Sequence, residues 1–292
     1  MGIRDGQGFL PLRYMGSLDN YQDAKTIMIG APMDWTSSFR PGSRFAPQRI
    51  REASISLEMF SFQQEESLED RLFYDGGDLD LHIGNIQNSL SLIEQIAEEV
   101  FSDNKFPLFI GGEHLVTLPV IKQAHKKYGS QLKVIHLDAH SDLREEYLGE
   151  KLSHASVIRR VCEFIDPSNI YQIGIRSGER EEFEYAKKNT KFYPFEVIQP
   201  IKEVVSKIGD NPVYITLDID IVDPAYADGT GTPEPGGCTS EEVFKAIIMM
   251  KNLNVIGFDL VEFSPPYDPS GKTAVLGAKI IREAIIAWGA NK

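Results

Sequence analysis

The segment VIHLDAHSDLR, residues 134–144, places an apolar run directly before a cluster of charged side chains. The apolar residues predict a buried β-strand. Asp138, His140 and Asp142 follow at a spacing of two, which in extended chain points all three side chains to one face. Burying so much charge is unfavourable unless the groups are paired or coordinate a metal ion. The segment therefore predicts a strand whose carboxyl end carries a polar site.

Five other short apolar runs are spaced fairly evenly along the 292 residues. They are rich in Ile, Val, Leu or aromatic residues, and several end in Gly, Asp or His, as buried parallel strands do. These runs are 25–32, 106–114, 169–176, 212–220 and 254–262. Helical patterns lie between them at 86–101 and 117–128. A third helical pattern begins at Thr239, where Glu242 completes a capping-box sequence.

The alternation of strands and helices predicts one α/β domain over residues 1–292, with 1–24 as an N-terminal extension. Helices that connect parallel strands make right-handed crossovers and cover both faces of the sheet. We therefore expect a three-layer, doubly wound, mainly parallel sheet. The longest stretch without a regular pattern is 221–238, and loops of that length in compact domains are often functional.

The composition narrows the class of protein. The formal net charge of −13 disfavours nonspecific binding to nucleic acid and mildly favours a cationic substrate. No run of 18 or more apolar residues predicts a membrane span, and the start of the chain does not resemble a signal peptide or a myristoylation site. Cys162 and Cys238 are the two cysteines, too few for a disulfide framework, so we expect a cytoplasmic protein.

Polar residues stand at the ends of four of the predicted strands. In open α/β sheets, ligands bind beyond the carboxyl ends of the strands. The four groups therefore point to one rim of the sheet. They are Glu113 with His114; Asp138, His140 and Asp142; Asp218 with Asp220; and Asp259 with Glu262.

The segment DIDIVDP adds two carboxylates to this rim. Asp218 and Asp220 alternate with apolar residues and would repel each other unless a cation lay between them. With His114 and the residues of the DAHSD segment they provide four carboxylates, two imidazoles and no thiolate. This donor set suits Mn²⁺, with Fe²⁺, Co²⁺ and Zn²⁺ as alternatives. Bridging carboxylates would allow two ions to share it about 3.5–4 Å apart.

The motifs around these residues resemble those of the ureohydrolases, the arginase and agmatinase family, and are most like those of the agmatinases. The resemblance covers about residues 25 to 288. It implies an arginase-like fold, two Mn²⁺ ions per subunit, and hydrolysis of a guanidino compound to urea and an amine. The motifs, in order, are PMDWTSSFRPGSRFAPQRIREAS, GGEH, DAHSD, SHA, DIDIVDP, GTGTPEPGG and DLVEFSPPYD.

The resemblance also implies a role for each site residue. One ion would be held by His114, Asp138, Asp142 and Asp218, and the other by His140, Asp138, Asp218 and Asp220. A hydroxide between the ions would attack the guanidino carbon. Glu262 would bind the guanidinium group, Asp142 would relay a proton to the leaving amine, and His154 would exchange protons with solvent. His136 matches no ligand of the family, and we expect it to be a core histidine.

The loop LREEYLGEKLSHAS, residues 143–156, bears on the substrate. Glu145, Glu146 and Glu150 would repel an α-carboxylate and tolerate a distal ammonium group, which favours agmatine over arginine. Arg144 leaves guanidinobutyrate and guanidinopropionate open. An arginase activity, formiminoglutamate hydrolysis and a noncatalytic metal-binding protein of the same fold are further alternatives.

Two expectations follow from the resemblance alone. Members of the family are usually homo-oligomers, as trimers or hexamers, and we expect the same here. Hydrolysis of agmatine would produce putrescine, which would place the enzyme in polyamine synthesis.

Overall fold

The computed structural model describes residues 12–291, and its centre is an eight-stranded sheet in which each pairing of neighbouring strands is parallel. The order across the sheet is β4-β1-β5-β10-β9-β6-β7-β8, and β2 and β3 form a separate antiparallel hairpin. The strands are β1 (Thr26–Ala31), β2 (Phe60–Ser61), β3 (Glu66–Ser67), β4 (Phe73–Asp78), β5 (Phe106–Gly111), β6 (Lys133–Leu137), β7 (Ile170–Ile175), β8 (Lys191–Pro194), β9 (Val213–Asp218) and β10 (Val255–Val261).

Helices cover both faces of this sheet. The α-helices are α1 (Ala46–Ser54), α2 (Ile86–Ser102), α3 (Thr117–Tyr128), α4 (Val157–Val161), α5 (Arg180–Asn189), α6 (Ile198–Ile208), α7 (Ser240–Met249) and α8 (Lys272–Trp288). One apolar core lies under α1, α6, α7 and α8, and a second lies under α2, α3, α4 and α5. The predicted three-layer, doubly wound α/β fold is therefore confirmed.

The predicted helices have observed counterparts at close to the expected bounds. The pattern over 86–101 corresponds to α2, and the pattern over 117–128 corresponds to α3. The capping box before α7 is present, because Thr239 Oγ1 accepts a hydrogen bond from the Glu242 backbone and the Glu242 carboxylate accepts one from the Thr239 backbone. Each reciprocal bond satisfies a backbone donor that the helix itself leaves free.

The sequence analysis missed the two edge strands of the large sheet. Strand β4 has the sequence FYDGGD, whose glycines and acids are uncommon in strands. Strand β8 is short and ends in Pro194, which suits an edge position. Pairing with the neighbouring strand, rather than local preference, gives both segments their extended form.

The strand order gathers the predicted polar groups in the middle of the sheet. Strands β5, β10, β9 and β6 are adjacent, although they are far apart along the chain. Because they are parallel, their carboxyl ends lie on one side. The loops that follow β1 and β7 flank this central group on its two sides.

The N-terminal part of the described chain packs against the domain. Tyr14 is buried, its hydroxyl donates to the Ala278 carbonyl at 2.6 Å, and its backbone N–H donates to Asp75 Oδ2 at 2.7 Å. The predictions about a leader and a myristoylation site concern residues 1–11, which lie outside the described residues. Between residues 12 and 291 the longest helices are either too short or too polar to cross a membrane.

Candidate functional site

The DAHSD segment forms a turn rather than a continuation of its strand. Strand β6 ends at Leu137, and Asp138 Oδ1 accepts a hydrogen bond from the His140 backbone N–H at 2.5 Å. Asp142 has a φ of 52°, a left-handed backbone conformation that is uncommon for residues other than glycine. The expectation of an extended chain over 138–142 was therefore wrong. The three polar side chains come together through a tight loop instead of through strand alternation.

A first cluster of ligand-type atoms surrounds His114, which directly follows the GGE turn after β5. Its Nδ1 atom lies 3.0 Å from Asp138 Oδ2, 3.2 Å from Asp142 Oδ2 and 3.4 Å from Asp218 Oδ2. All four side chains are buried. The cluster brings together the four residues predicted to hold one ion.

A second cluster lies beside the first and shares Asp138 with it. His140 Nδ1 lies 2.9 Å from Asp220 Oδ2 and 3.8 Å from Asp138 Oδ1. Asp220 follows β9 on a short 3-10 turn, where its backbone N–H donates to Asp218 Oδ1 at 2.9 Å. Asp138 therefore presents its two oxygens to different histidines, as expected of a carboxylate between two cations.

His136 is a buried histidine, as predicted, but it is not remote from the site. Its Nε2 atom lies 2.7 Å from Asp138 Oδ2, and its Nδ1 atom lies 3.2 Å from the Gln172 amide nitrogen. Because the Gln172 amide donates to Nδ1, Nε2 carries the ring proton and donates to Asp138. His136 thus holds a carboxylate of the cluster in place.

The electrostatics of the clusters favour a bound cation. Burial and the neighbouring Asp220 raise the pKa of Asp218 well above its ordinary range, and burial also raises the pKa of Asp220. Burial alone would raise the pKa of Asp138 too, but His136 and His114 outweigh it and lower that pKa. Like charges packed so closely resist ionisation unless a cation compensates them.

The residues present fit a metal ion. His114 Nδ1 is buried without a hydrogen-bond partner, although three carboxylate oxygens lie within 3.4 Å of it. The proton of this ring is on Nε2, which donates to Thr216 Oγ1 at 2.8 Å, because the Thr216 hydroxyl itself donates to Asp259. Burial lowers the pKa of His114, but Asp138, Asp142 and Asp218 outweigh it and raise that pKa well above its ordinary value, so Nδ1 attracts a cation. Imidazole nitrogen and carboxylate oxygen are donors that hard and borderline divalent ions prefer.

A cavity of about 270 Å³ opens beside the clusters. Glu262 lies at its inner end, directly after β10, with a φ of 63°. Its Oε1 atom accepts a hydrogen bond from the His114 backbone N–H at 2.7 Å, and burial raises its pKa to about 8. Between residues 12 and 291 no cationic side chain forms an ion pair with Glu262, which presents its carboxyl group to the cavity. A cation bound there would favour the ionised carboxylate.

His154 lies on the wall of the same cavity. Its Nδ1 atom is 3.1 Å from Thr36 Oγ1, and the edge of the ring meets Tyr147 with ring centroids 5.6 Å apart. Burial lowers the pKa of His154, so the ring is neutral near pH 7. The predicted proton carrier is therefore within the cavity and in a form that can accept a proton.

The outer part of the cavity contains Arg144, which the sequence analysis named, and Glu179 and Glu182, which it missed. Arg144 lies 3.2 Å from Glu179 and 3.4 Å from Glu182, and its guanidinium stacks over Tyr147. Both glutamates follow β7, so the rule that ligands bind at the carboxyl ends of strands could have found them. The segment IYQIGIRSGEREE, residues 170–182, contains this signal, because both glutamates follow closely on an apolar run.

The acidic loop residues lie elsewhere than expected. Glu145 pairs with Arg159 and Arg160, at 2.9 and 3.2 Å, and Glu150 accepts a hydrogen bond from the Leu152 backbone. Glu145, Glu146 and Glu150 do not line the cavity. The prediction that these three residues contact the substrate was therefore wrong. Glu145 is held outside the cavity by its ion pairs with the two arginines of α4.

The fold and the paired clusters define a class of protein: a parallel α/β protein with histidine–aspartate groups suited to divalent metal at the carboxyl edge of its sheet. Residues 24–287 match the profile of the arginase family. The chain belongs to that family.

Three relatives illustrate the match. An agmatinase of Halalkalibacterium halodurans is 49% identical over 94% of this chain and 96% of its own length. A guanidinobutyrase of Pseudomonas aeruginosa is 36% identical over 88% of this chain and 84% of its own. The crystal structure of an agmatine ureohydrolase of Thermoplasma volcanium superimposes with a TM-score of 0.89 at 33% identity, covering 97% of this chain and 96% of that one. The family and fold predicted from the motifs are confirmed.

Proposed function

We propose that the protein hydrolyses agmatine to putrescine and urea. The observation that carries this proposal is the placement of Glu262 in one cavity with both histidine–aspartate clusters. Its carboxyl group is buried and forms no ion pair within the part of the chain that the structure describes. A guanidinium group is cationic and planar, and a carboxylate binds it with two parallel hydrogen bonds. The relatives named agmatinase and agmatine ureohydrolase support agmatine as the bearer of that group.

Two divalent ions would complete the site. His114, Asp138, Asp142 and Asp218 would hold one, and His140, Asp138, Asp218 and Asp220 the other, with Asp138 and Asp218 shared. We propose Mn²⁺, because oxygen and imidazole donors without thiolate suit it. Such ions supply Lewis acidity and make water a stronger nucleophile near neutral pH.

The chain's own residues orient the substrate and move its protons. Glu262 would fix the guanidinium so that its central carbon faces the clusters, which replaces a random encounter by a defined approach. Asp142 would accept a proton from the attacking water and pass it to the leaving nitrogen as the C–N bond breaks. The oxygen of that water remains in urea, and its second proton also passes to the amine, which leaves as an ammonium group.

His154 would transfer protons between the site and solvent. The lowered pKa of its ring keeps it neutral, so it can accept a proton and release it again at the cavity mouth. Its position on the cavity wall, near Asp142, supports this assignment.

The outer part of the cavity favours a substrate with a positive distal end. Glu179 and Glu182 provide two carboxylates, while Arg144 is already paired with both and stacked on Tyr147. A distal carboxylate, as in guanidinobutyrate, would meet Glu179 and would have to displace these ion pairs from Arg144. A distal ammonium group can join Glu179 without breaking them. The cavity thus favours agmatine over guanidino acids.

Urea release from four substrates tests the proposal. The Mn²⁺-loaded protein is assayed with agmatine, arginine, guanidinobutyrate and guanidinopropionate, beside Glu262→Gln and a control variant, Glu146→Gln, outside the cavity. We expect agmatine to have the highest kcat/KM, and Glu262→Gln to lower it at least about 100-fold, since losing a charged partner costs about 3 kcal/mol. Faster turnover of a guanidino acid would assign a guanidinobutyrase-type substrate. Absence of urea from all four substrates, with metal bound, would reject the proposal. A parallel assay of formamide release from formiminoglutamate would then distinguish that hydrolysis from metal binding without turnover.

Three further proposals accompany this activity. Putrescine as the product places the enzyme in polyamine synthesis. The two cysteines are unpaired, which is consistent with the cytoplasm. Assembly as a trimer or hexamer is carried by the family resemblance. Light scattering after size-exclusion chromatography tests the assembly, and a mass near that of one 32.8 kDa chain would contradict it.

A further inference from the structure

Thr36 connects the first cluster to the cavity wall. It lies in the loop after β1, within the segment PMDWTSS, and has no part in the metal donor set. Its backbone N–H donates to Glu113 Oε2 at 2.7 Å, and Glu113 is fully buried next to His114. This bond ties the position of Thr36 to the turn that carries a predicted metal ligand.

The side chain of Thr36 makes two contacts with a single residue. Its Oγ1 atom accepts a hydrogen bond from the His154 backbone N–H at 3.0 Å and lies 3.1 Å from His154 Nδ1. While the oxygen accepts from that N–H, the hydroxyl still has its own proton to donate, and Nδ1 lies within hydrogen-bond reach of it. The second hydroxyl near this atom, that of Ser153, is farther away at 3.4 Å.

The direction of the contact between Thr36 and Nδ1 decides the tautomer of the imidazole. A ring whose Nδ1 accepts a hydrogen bond carries its proton on Nε2 when it is neutral. Two hydrogen bonds from one side chain also restrict both the backbone and the ring of His154, while Tyr147 meets the ring from the side. A proton carrier works well only when its ring is held within reach of its partner.

We propose that Thr36 is a positioning residue that holds His154 in the Nε2-protonated form and aims its ring into the cavity. This inference rests on the proposed role of His154 as proton carrier. The loop after β1 would then have a role in catalysis. It connects the GGEH turn to the SHA segment through contacts of Thr36 with Glu113 and His154. No metal contact is needed for this function.

The test compares Thr36→Val with Thr36→Ser in the metal-loaded enzyme. Valine keeps the shape of the side chain and the backbone bond to Glu113 but lacks the hydroxyl, whereas serine keeps the hydroxyl. General acid–base catalysis contributes about 10²–10⁴ in rate, and we expect valine to lose part of it, about tenfold in kcat or more. KM for agmatine should change less than about threefold. Serine should restore kcat to within about threefold of the original.

A double mutant distinguishes positioning from a general structural effect. If Thr36 acts through His154, adding Thr36→Val to His154→Asn should lower kcat less than about twofold further. Equal losses in both backgrounds would overturn the proposal, because they would show that Thr36 acts without His154. Matching thermal midpoints of Thr36→Val and Thr36→Ser check that valine does not simply loosen the fold.

A second readout does not depend on turnover. Deuterium exchange at the ring C2 position of His154, followed by mass spectrometry over a pH series, gives the pKa of this ring in the assembled protein. The hydroxyl stabilises the neutral ring, so Thr36→Val should raise that pKa and Thr36→Ser should not. Asp142, His140 and His114 also act on the ring through their charges and are unchanged in both variants. An unchanged pKa in Thr36→Val would overturn the proposal, whereas absence of agmatine turnover in the original protein would overturn only the proposed function.

Discussion

Nε2 of His114 lies 2.8 Å from Oγ1 of Thr216, and this contact leaves Nδ1 as the atom that faces the three carboxylates. Thr216 in turn donates to Asp259 Oδ1 at 2.6 Å, and Tyr214 donates to Asp259 Oδ2 at 2.7 Å. All of these groups are buried. Asp259 is therefore the fixed end of a hydrogen-bond chain that decides which nitrogen of His114 is free for a metal ion.

We expect Asp259→Asn to weaken Mn²⁺ binding. An asparagine amide can turn a donor toward Thr216, and the Thr216 hydroxyl would then cease to accept from His114. Partners of this kind behind a ligand are worth about 10- to 100-fold in metal affinity. Calorimetric titration of the metal-free protein measures the loss. Tyr214→Phe removes the other hydrogen bond to Asp259 without changing Thr216 and should have a smaller effect. An unchanged Mn²⁺ affinity in Asp259→Asn would show that this series of hydrogen bonds does not control His114.

Removal of the metal should lower thermal stability. The buried carboxylates of Asp138, Asp218 and Asp220 repel one another without a cation. A ligand at about a hundredfold its Kd stabilises the folded state by about 2.7 kcal/mol, which for a chain of this size raises Tm by roughly 4 °C. Scanning calorimetry with chelator and then with added Mn²⁺ measures this shift. Asp138→Asn should lose most of the response, and an identical response in that variant would show that the ion binds elsewhere.

Glu182 should contribute more to the free energy of unfolding than the exposed acidic residues of the same helix, α5. Its Oε1 atom accepts from Ser141 Oγ at 2.7 Å and from the Leu143 backbone at 3.0 Å, on either side of Asp142. The side chain is 5% exposed, so these bonds have no replacement in water. We expect Glu182→Ala to lower the free energy of unfolding by about 2 kcal/mol, because it leaves both buried donors without an acceptor. Urea denaturation measures the change, and Glu181→Ala, on the exposed side of the same turn, should change it by less than about 0.5 kcal/mol.

Cys238 should be unreactive while the protein is folded. Burial raises the pKa of its thiol to about 12, so the thiolate needed for alkylation is nearly absent at pH 8. Iodoacetamide labelling read by mass spectrometry should modify Cys238 after denaturation and leave it intact in the native protein. Rapid labelling of the native protein at the same pH would contradict this expectation.

The same shift has a consequence for stability at alkaline pH. The folded pKa lies above the ordinary value of 9.0, so above about pH 9 the unfolded chain releases this proton while the folded chain retains it. Stability from this group is therefore complete below pH 9 and declines as the pH rises toward 12. Urea midpoints at pH 7, 9 and 10 should fall in that order, and Cys238→Ala should fall less steeply.

The central part of the fold and the metal-type residues could be predicted because local sequence encodes them. Strand β9 is an unbroken apolar run that ends in Asp218, and the capping box of α7 needs only Thr239 and Glu242. In such segments periodicity and chain-local hydrogen bonds favour the same structure that packing selects. The residues that close each strand then lie on one rim by topology alone.

The remaining features depend on contacts that no local pattern contains. Glu145 is in the predicted loop but pairs with Arg160, a partner that α4 brings close only after folding. The left-handed turn at Asp142 is fixed by Glu182, forty positions further along the chain. Thr36 reaches His154 because loops from β1 and β6 meet above the sheet. The spacing of residues in the sequence does not predict such contacts between distant segments.

The order of strands in the sheet also separates the ligand-type residues from the residues that would contact the distal end of a substrate. The ligand-type residues and Glu262 follow the four middle strands, whereas the residues near the far end of the cavity come from the loops after β6 and β7. Within the β7 loop, Glu179 is exposed and can change without disturbing the reaction centre, whereas Glu182 holds the turn around Asp142 and cannot. We therefore expect substrate preference in this architecture to be re-engineered from Glu179 outward, with Glu182 and the central four strands kept intact.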